Sequence, residues 1–262
     1  MKKLTINLIL LSMVCTFGQG YIYIWKNNAI VDSQAISNDL KISFKTTGPS
    51  QAGLVAWYPF NGNANDESGN GNNCTVTNCT LVPDRFGKLN RAYSFDGSNS
   101  TSIITGTANP VLSLSQVTLS AWVKIKGQGV DFPRIIGVAP SNTSDEKYGM
   151  FLNSTAPPRA VAFYSYPSIN WSQTLFLNDN VWHHLLTTFD GSTVKIFIDG
   201  ILDKTVFNVP ALGQFTSGHV VAIGGGAFLG NDRFDGALDD LRIYNRVLSD
   251  VEIQALFHET GN

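Results

Sequence analysis

From Gly53 onward, the chain alternates short apolar runs with clusters of Gly, Asn, Asp and Ser. Residues 117–124, VTLSAWVK, repeat apolar side chains at every second position, which is the period of a β-strand with one buried face. Asp190-Gly191 and Asp199-Gly200 separate three further runs, and an Asp-Gly turn between two strands is typical of a hairpin. Many short strands with frequent turns predict an all-β, two-sheet antiparallel sandwich.

Composition supports this prediction and narrows the class of partner. Charged residues make up 15% of the chain, below the roughly 25% typical of globular proteins, and there are 24 glycines. A chain this poor in charge and rich in glycine is typical of a protein with many strands and turns. The formal net charge is −2, so there is no basic surface of the kind that nucleic acids require. We therefore expect no nucleic-acid partner.

A single short helix is predicted at the carboxy-terminal end. Ser249 and Glu252 have the spacing of a capping box, and apolar residues follow at helical spacing through Phe257. We expect residues 53–262 to form one domain. Residues 19–52 differ in pattern and are interpreted as an amino-terminal extension or linker, with a possible strand at residues 21–25.

The amino terminus has the features of a bacterial secretory signal. Met1-Lys2-Lys3 is basic, residues 4–17 are largely apolar, and this stretch is too short to span a bilayer easily. We interpret residues 1–18 as a signal peptide, with a retained signal anchor or a lipid attached at Cys15 as alternatives. Its removal would leave no membrane span and a secreted, cell-surface or periplasmic protein.

Two cysteines would remain after such a cleavage. Cys74 and Cys79 are separated by four residues, and an oxidising compartment makes a disulfide between them plausible. Because the closed loop is small, the bond would stabilise the protein by only about 2 kcal/mol. We expect a disulfide that pins one loop.

Five sequence blocks occur in the order found in one known family. They are residues 53–73 (GLVAWYPFNGNANDESGNGNN), 92–100 (AYSFDGSNS), 118–124 (TLSAWVK), 182–200 (WHHLLTTFDGSTVKIFIDG) and 234–257 (FDGALDDLRIYNRVLSDVEIQALF). Residues 53–258 therefore resemble the laminin-G-like, concanavalin A-like jelly-roll domains of secreted bacterial proteins. The resemblance implies two antiparallel sheets packed face to face, but no single activity, because this fold carries both binding modules and enzymes.

The sequence contains no recognisable catalytic motif. Glycoside hydrolysis needs two carboxyl groups at a defined separation, and no strand carries the Glu-x-Asp-x-x-Glu run of related hydrolases. Adjacent acidic pairs such as Asp239-Asp240 would point to opposite faces of a regular strand. His183 and His184 are interpreted as structural strand residues. We expect a protein that is not an enzyme.

Calcium is the cofactor that the sequence favours, because similar domains often hold a structural calcium ion and the loops are rich in oxygen ligands. The candidate ligands are Asn65, Asp66, Asp96 and Asp239. If Leu241 faces the core, strict alternation places Asp239 on the same side, where its charge would need a partner. For Asp66 and Asp96 the alternative is an Asx turn. Asp240 and Arg242 would form a surface pair.

The candidate sugar-binding platform lies in residues 159–171, which contain more aromatic surface than a loop needs for packing. It comprises Arg159, Tyr164, Tyr166, Asn170 and Trp171. The alternative is that these side chains only anchor the loop. The leading hypothesis is a secreted, non-catalytic module that binds a polysaccharide or a glycosylated surface and is stabilised by calcium. A protein-binding adhesion domain is the second hypothesis, and a polysaccharide hydrolase or lyase is the third.

Overall fold

The computed structural model describes residues 15–18, 21–26, 29–35, 49–97, 103–127, 132–140, 147–153, 159–165, 168–175, 179–213, 219–225 and 233–260. The chain divides into two compact units, residues 1–49 and residues 50–262. None of the described helices is long and apolar enough to cross a membrane.

The first unit contains an antiparallel meander of three strands. These are β1 (Cys15–Gly18), β2 (Tyr21–Lys26) and β3 (Ala29–Ala35). The strand predicted at residues 21–25 is therefore confirmed. The segment interpreted as a signal peptide overlaps β1, and its residues 1–14 lie outside the described residues, so that interpretation stays a prediction.

The second unit is built from strands that pair antiparallel throughout the described residues. They are β4 (Leu54–Tyr58), β5 (Thr75–Thr77), β6 (Thr80–Val82), β7 (Ala92–Asp96), β8 (Ile103–Thr107), β9 (Val117–Ile125), β10 (Arg134–Pro140), β11 (Tyr148–Asn153), β12 (Arg159–Ser165), β13 (Ser168–Trp171), β14 (Trp182–Phe189), β15 (Val194–Ile198), β16 (Ile201–Val206), β17 (His219–Ile223) and β18 (Asp235–Tyr244). A short 3-10 helix (Pro110–Leu112) precedes β9, and the helix α1 (Asp250–Phe257) follows β18.

These strands form two sheets. The first has seven strands in the order β13-β12-β11-β10-β17-β8-β5. The second has eight strands, in which β16-β15-β14-β9-β18-β7-β6 are neighbours and β4 also pairs with β18. The predicted all-β sandwich is confirmed, as are the hairpin turns: Asp199 and Gly200 have φ values of 50° and 75°, as a two-residue turn between β15 and β16 requires.

One apolar core fills the space between the two sheets. The alternation predicted for residues 117–124 holds, because Leu119, Ala121 and Val123 are buried in this core. The opposite face of the eight-stranded sheet carries Ser120 and Trp122. A second, smaller apolar cluster lies on that outer face, where α1 contributes Ile253 and Leu256.

The helix begins as the sequence predicts. The Glu252 carboxylate accepts a hydrogen bond from the backbone N–H of Ser249 at 3.0 Å, which satisfies one of the free donors at the helix start. The same carboxylate is paired with Arg246, and this pairing lowers the pKa of Glu252 to about 2. The cap therefore also fixes α1 to the segment that follows β18.

A β-bulge in β18 decides which side chains reach the outer face. Asp239 pairs with Trp122 and Arg242 pairs with Ser120, so two residues of β18 lie opposite the single residue Ala121. Asp240 has a positive φ of 53°. The prediction that Asp239 lies on the core side with Leu241 is therefore wrong. The extra residue interrupts the alternation and places Asp239 and Arg242 on the same outer face.

Candidate functional site

A polar pocket lies on this outer face, and we call it the Arg85 pocket. Its volume is about 130 Å³. Four separate parts of the chain contribute to it: β4 and its following loop, the loop after β6, the bulge of β18, and the segment after α1. The lining residues are Trp57, Pro59, Asn61, Asp84, Arg85, Phe86, Arg91, Asp239, Asp240, Glu259 and Thr260.

Two arginines hold the carboxylates at the base of the pocket. Arg85 donates to Asp239 at 2.9 Å and to Asp240 at 3.2 Å. Arg242 donates to both oxygens of Glu259 at 2.9 and 3.0 Å, and forms an ion pair with Asp240 at 3.0 Å. The Asp240–Arg242 pair predicted from the sequence exists, but both residues are buried instead of lying on the surface. The bulge and the α1 segment cover them.

Among the described residues of the pocket, Asp239 is a carboxyl group that can still accept a further hydrogen bond. Asp240 accepts from Arg85 and from the Trp57 indole N–H at 2.7 Å, and Glu259 is fully engaged by Arg242. Asp239 is only 3% exposed, and within the described residues its one hydrogen bond runs from Arg85 to Oδ2. Oδ1 of Asp239, a lining residue, is therefore free for a ligand.

The charges of the pocket shift the pKa values of its acids in opposite directions. Burial, and then the neighbouring charge of Asp240, raise the pKa of Asp239 to about 8. Burial also opposes the ionisation of Asp240, but Arg242 and Arg85 outweigh it and hold the pKa of that carboxyl below its usual value. Burial and Asp240 raise the pKa of Glu259. Burial therefore favours the protonated form of Asp239, whereas the two arginines favour the ionised form of Asp240.

Aromatic rings surround the two arginines. The Arg85 guanidinium lies 4.5 Å from the centre of the Phe86 ring and 4.7 Å from that of Trp122. Arg242 lies 4.9 Å from the centre of the Trp57 ring. Phe86 is 45% exposed, so much of its ring remains open to solvent beside the pocket.

The loop that carries Arg85 and Phe86 is fixed by its own turn. Oδ1 of Asp84 accepts hydrogen bonds from the backbone N–H groups of Phe86 and Lys88, both at 2.8 Å. On the other side of the pocket, Arg91 donates to the Asn61 side chain at 2.8 Å. Hydrogen bonds within the protein therefore hold both sides of the pocket wall in place.

Of the sugar platform predicted from residues 159–171, the structure describes the side chains of Asn170 and Trp171. Arg159 and Tyr164 lie in β12 and pair with Asn153 and Ile169, whereas Tyr166 lies outside the described residues. Asn170 is buried and pairs with the core residue Phe163.

Trp171 lies at the end of the edge strand β13. It is partly exposed and stacks on Phe132, with ring centres 5.8 Å apart and an angle of 25° between the ring planes. This stacking joins the edge strand β13 to the segment before β10. Trp171 therefore lies on a different sheet from the Arg85 pocket.

The four predicted calcium ligands do not converge. Asp66 is buried, and its carboxylate accepts from the backbone N–H groups of Trp57, Ser68 and Asn72 at 2.9 Å each, so the Asx-turn alternative holds for it. Asp239 is paired with Arg85. Asn65 is exposed in the loop after β4, and Asp96 lies opposite Asp235 where β7 meets β18. Among the described residues, no group of three or more His, Cys, Asp and Glu side chains is placed to hold a metal ion.

The predicted disulfide is not formed. Cys74 and Cys79 are free thiols, and their sulfur atoms contact the carbonyl oxygens of Asn72 and Thr77 at 3.6 and 3.3 Å. Burial raises the pKa of each thiol to about 12. The physical reason is that the chain passes between the two sheets here: β5 pairs in one sheet and β6 in the other.

The sequence interpretation missed Arg85, Phe86 and Glu259. None belongs to a motif: Arg85 precedes Asp239 by 154 residues, Phe86 follows Arg85, and Glu259 lies in the segment after α1. One signal was available: two adjacent carboxylates and an arginine in a single buried strand leave a charge that needs a second cation. That argument predicts an arginine or lysine nearby, but not which one.

Comparison with known proteins places this chain in a family. The family model Laminin_G_3, described as the concanavalin A-like lectin/glucanases superfamily, matches residues 96–254. A comparison with curated proteins found no match.

Three solved structures are similar in fold. Domain 4 of AbnA, a GH43 extracellular arabinanase from Geobacillus stearothermophilus, in complex with arabinotriose, has a TM-score of 0.63 and 22% identity, covering 80% of this chain and all of that domain. The binding domain of Paraclostridial Mosquitocidal Protein 1 has a TM-score of 0.58 and 18% identity, covering 78% of this chain and 52% of that one.

The third is the binding domain of Botulinum Neurotoxin DC in complex with SialylT. It has a TM-score of 0.58 and 16% identity, covering 79% of this chain and 51% of that one. Another structure of the same neurotoxin domain contains rat synaptotagmin II. The two antiparallel sheets and the short carboxy-terminal helix agree with the fold of these structures. Because the family model matches residues 96–254, the chain belongs to the concanavalin A-like lectin/glucanases superfamily.

Proposed function

We propose that this protein is a secreted, non-catalytic carbohydrate-binding module whose binding site is the Arg85 pocket. One observation carries the proposal: the exposed ring of Phe86 adjoins a pocket lined by the buried Asp239, whose Oδ1 has no partner within the described residues. A sugar ring has an apolar C–H face and a rim of hydroxyl groups. An aromatic ring beside a free carboxyl oxygen matches both features.

Polar groups at the opening extend this match. The Asn61 amide N–H₂ and the remaining N–H groups of Arg91 are donors, and Asp239 offers an acceptor oxygen when it is ionised or a donor O–H when it is protonated. A hydroxyl can donate and accept at once, so a polyol satisfies both kinds of group. The similar fold of the arabinanase domain, which holds arabinotriose, supports a carbohydrate as the ligand class.

The arginine network supports a non-catalytic role. A glycosidase needs one carboxyl group to donate a proton and another that is free to attack the sugar or to activate water. Asp240 is held by Arg242, Arg85 and the Trp57 indole N–H, and Glu259 is held by both N–H₂ groups of Arg242. A carboxylate bound in this way is a poor nucleophile, because its lone pairs already accept charged hydrogen bonds.

A glycan array tests the proposal. Wild-type protein should bind at least one neutral glycan, and Phe86→Ala should weaken that binding by about tenfold. Phe207→Ala is the matched control, because Phe207 is 69% exposed and follows β16 at the other edge of the same sheet. An array that stays blank for the wild type, or equal loss in both variants, contradicts the proposal.

A protein-binding adhesion role is the second candidate. Ile201, Leu202 and Phe207 are 72%, 49% and 69% exposed, and apolar side chains grouped at a sheet edge are typical of protein contacts. If Phe207→Ala abolishes binding of the protein to cultured cells while Phe86→Ala does not, the second candidate replaces the first.

Of the four predicted calcium ligands, we keep only Asp96 as a proposed ligand. Asp96 and Asp235 lie directly opposite each other in adjacent strands, where like charges destabilise a sheet and a cation would relieve them. We expect 5 mM EDTA to lower the melting temperature by about 2–4 °C, and Asp96→Asn to remove that effect. An identical melt with and without EDTA contradicts calcium binding.

Secretion is proposed from the signal-like residues 1–18. Expression of the full chain in a bacterial host, followed by amino-terminal sequencing of the exported protein, should give a new terminus near residue 19. Recovery of uncleaved protein in the cytoplasm contradicts it.

A further inference from the structure

We propose that the Arg85 pocket binds a single neutral sugar residue at the end of a glycan chain and does not bind a stretch inside the chain. This inference rests on the proposed carbohydrate-binding function and adds the class of ligand. Three features support it: the volume of the pocket, the number of aromatic rings on which a sugar can stack, and the charges of the lining residues.

The pocket has room for one ring. Its volume of about 130 Å³ is below the roughly 300–1,000 Å³ of sites that hold drug-sized ligands. Its walls come from Asn61 after β4, Phe86 after β6, Asp239 in β18 and Thr260 after α1. A pocket of this size with walls from four segments fits one sugar ring, whereas an internal chain segment needs an exit on each side.

The aromatic residues provide one stacking position. Phe86 is 45% exposed although Arg85 lies over its ring, whereas Trp57, the other lining aromatic residue, is less exposed, lies beneath Arg242 and has its indole N–H bonded to Asp240. A site for several consecutive sugar residues uses several exposed rings in a row, one for each sugar. A single ring at the opening of a small pocket fits one terminal sugar.

The charges at the pocket favour a neutral sugar. Four lining residues are acids, Asp84, Asp239, Asp240 and Glu259, and two are cations, Arg85 and Arg91. Both N–H₂ groups of Arg85 are already engaged by Asp239 and Asp240, so this cation is not available to a ligand carboxylate. A uronic or sialic acid would bring its own charge close to Asp84, Asp240 and Glu259, and to Asp239 whenever that group is ionised, and would lose affinity through repulsion.

Calorimetry with ligands of increasing length tests the inference. The probes are the methyl glycoside, the linear trisaccharide and the linear polymer of arabinose, xylose, galactose and glucose, each titrated into the full chain. In the series that binds, the methyl glycoside and the trisaccharide should have Kd values within about threefold of each other. The polymer should bind one protein molecule per chain end.

Each result has a separate meaning. A Kd that tightens tenfold or more from methyl glycoside to trisaccharide, or a polymer that binds many protein molecules per chain, overturns the chain-end inference but leaves carbohydrate binding intact. If no probe of any length binds and the glycan array is also blank, the proposed function itself fails. If the Kd is unchanged in Phe86→Ala, the ligand occupies another site and the inference is wrong.

A charged analogue tests the neutral-sugar part. The two pairs to compare are methyl galacturonide with methyl galactoside and methyl glucuronide with methyl glucoside. In the pair whose neutral sugar binds, the acid should bind at least tenfold more weakly. Equal or tighter binding of the acid overturns the charge argument.

Discussion

Leu241 and Arg242 are neighbours in β18, yet they lie on opposite faces of the sheet and depend on different interactions. Leu241 faces the core between the sheets and is fully buried among apolar side chains. Arg242 faces outward and is buried among Asp240, Glu259 and Trp57. The inner face is stabilised by removal of apolar surface from water. The outer face buries charges that are tolerated only because each has a partner.

The largest effect should follow removal of a charge from the outer face. Arg242→Met leaves Asp240 and Glu259 without their main cation, and breaking a buried pair in this way costs about 3–5 kcal/mol. Urea unfolding at pH 7 measures it. The loss should be smaller at pH 4, because the two carboxyl groups can then take up protons. A loss below 1 kcal/mol at pH 7 would mean that the network contributes little.

The matched change on the inner face should cost slightly less and should not depend on pH. Leu241→Ala removes a buried side chain and leaves a cavity, with an expected loss of about 3 kcal/mol. The free energy of unfolding that Leu241→Ala loses relative to the wild type should be the same at pH 4 and at pH 7. A pH-dependent loss would show that the two faces are coupled.

These two faces also differ in how far the sequence predicts them. The inner face follows from alternation in β9 and from the apolar runs, so the fold, the strands and α1 could be predicted. The outer face could not, because one extra residue at Asp240 changes the side of Asp239 and no local pattern indicates the bulge. Arg85 comes from a distant loop and Glu259 from the segment after α1, and the approach of both depends on the whole topology.

The raised pKa of Asp239 gives a third effect, which is a change of stability with pH. The pKa of Asp239 is raised to about 8, above the value of about 3.9 for an unfolded chain, so the folded state binds a proton that the unfolded state releases. The stability of the wild type relative to Asp239→Asn should therefore fall as pH rises from about 4 to 8, by up to about 1.4 kcal/mol per pH unit, and should level off above that range.

Asparagine is the suitable replacement, because its side-chain oxygen can still accept from Arg85 as the protonated acid does. Unfolding of both proteins at pH 5, 7 and 9 measures the difference. A difference in stability that stays constant across these three values would contradict a raised pKa for Asp239.

The smallest effect on glycan binding should come from residues 159–171, which the sequence predicted as the sugar-binding platform. Trp171→Ala removes the stacking on Phe132 and should lower the free energy of unfolding by about 1–2 kcal/mol. Glycan binding should change by less than about twofold, because Trp171 belongs to the other sheet. A tenfold loss of glycan binding in this variant would assign the site to residues 159–171 instead of the Arg85 pocket.

The most direct test of the central claim is a crystal structure of the full chain soaked with the sugar that binds best in calorimetry. The account predicts one sugar ring in the Arg85 pocket, stacked on Phe86 and with a hydroxyl group within hydrogen-bonding distance of Oδ1 of Asp239. An empty Arg85 pocket, with the sugar ordered against Trp171 or elsewhere on the seven-stranded sheet, would contradict it.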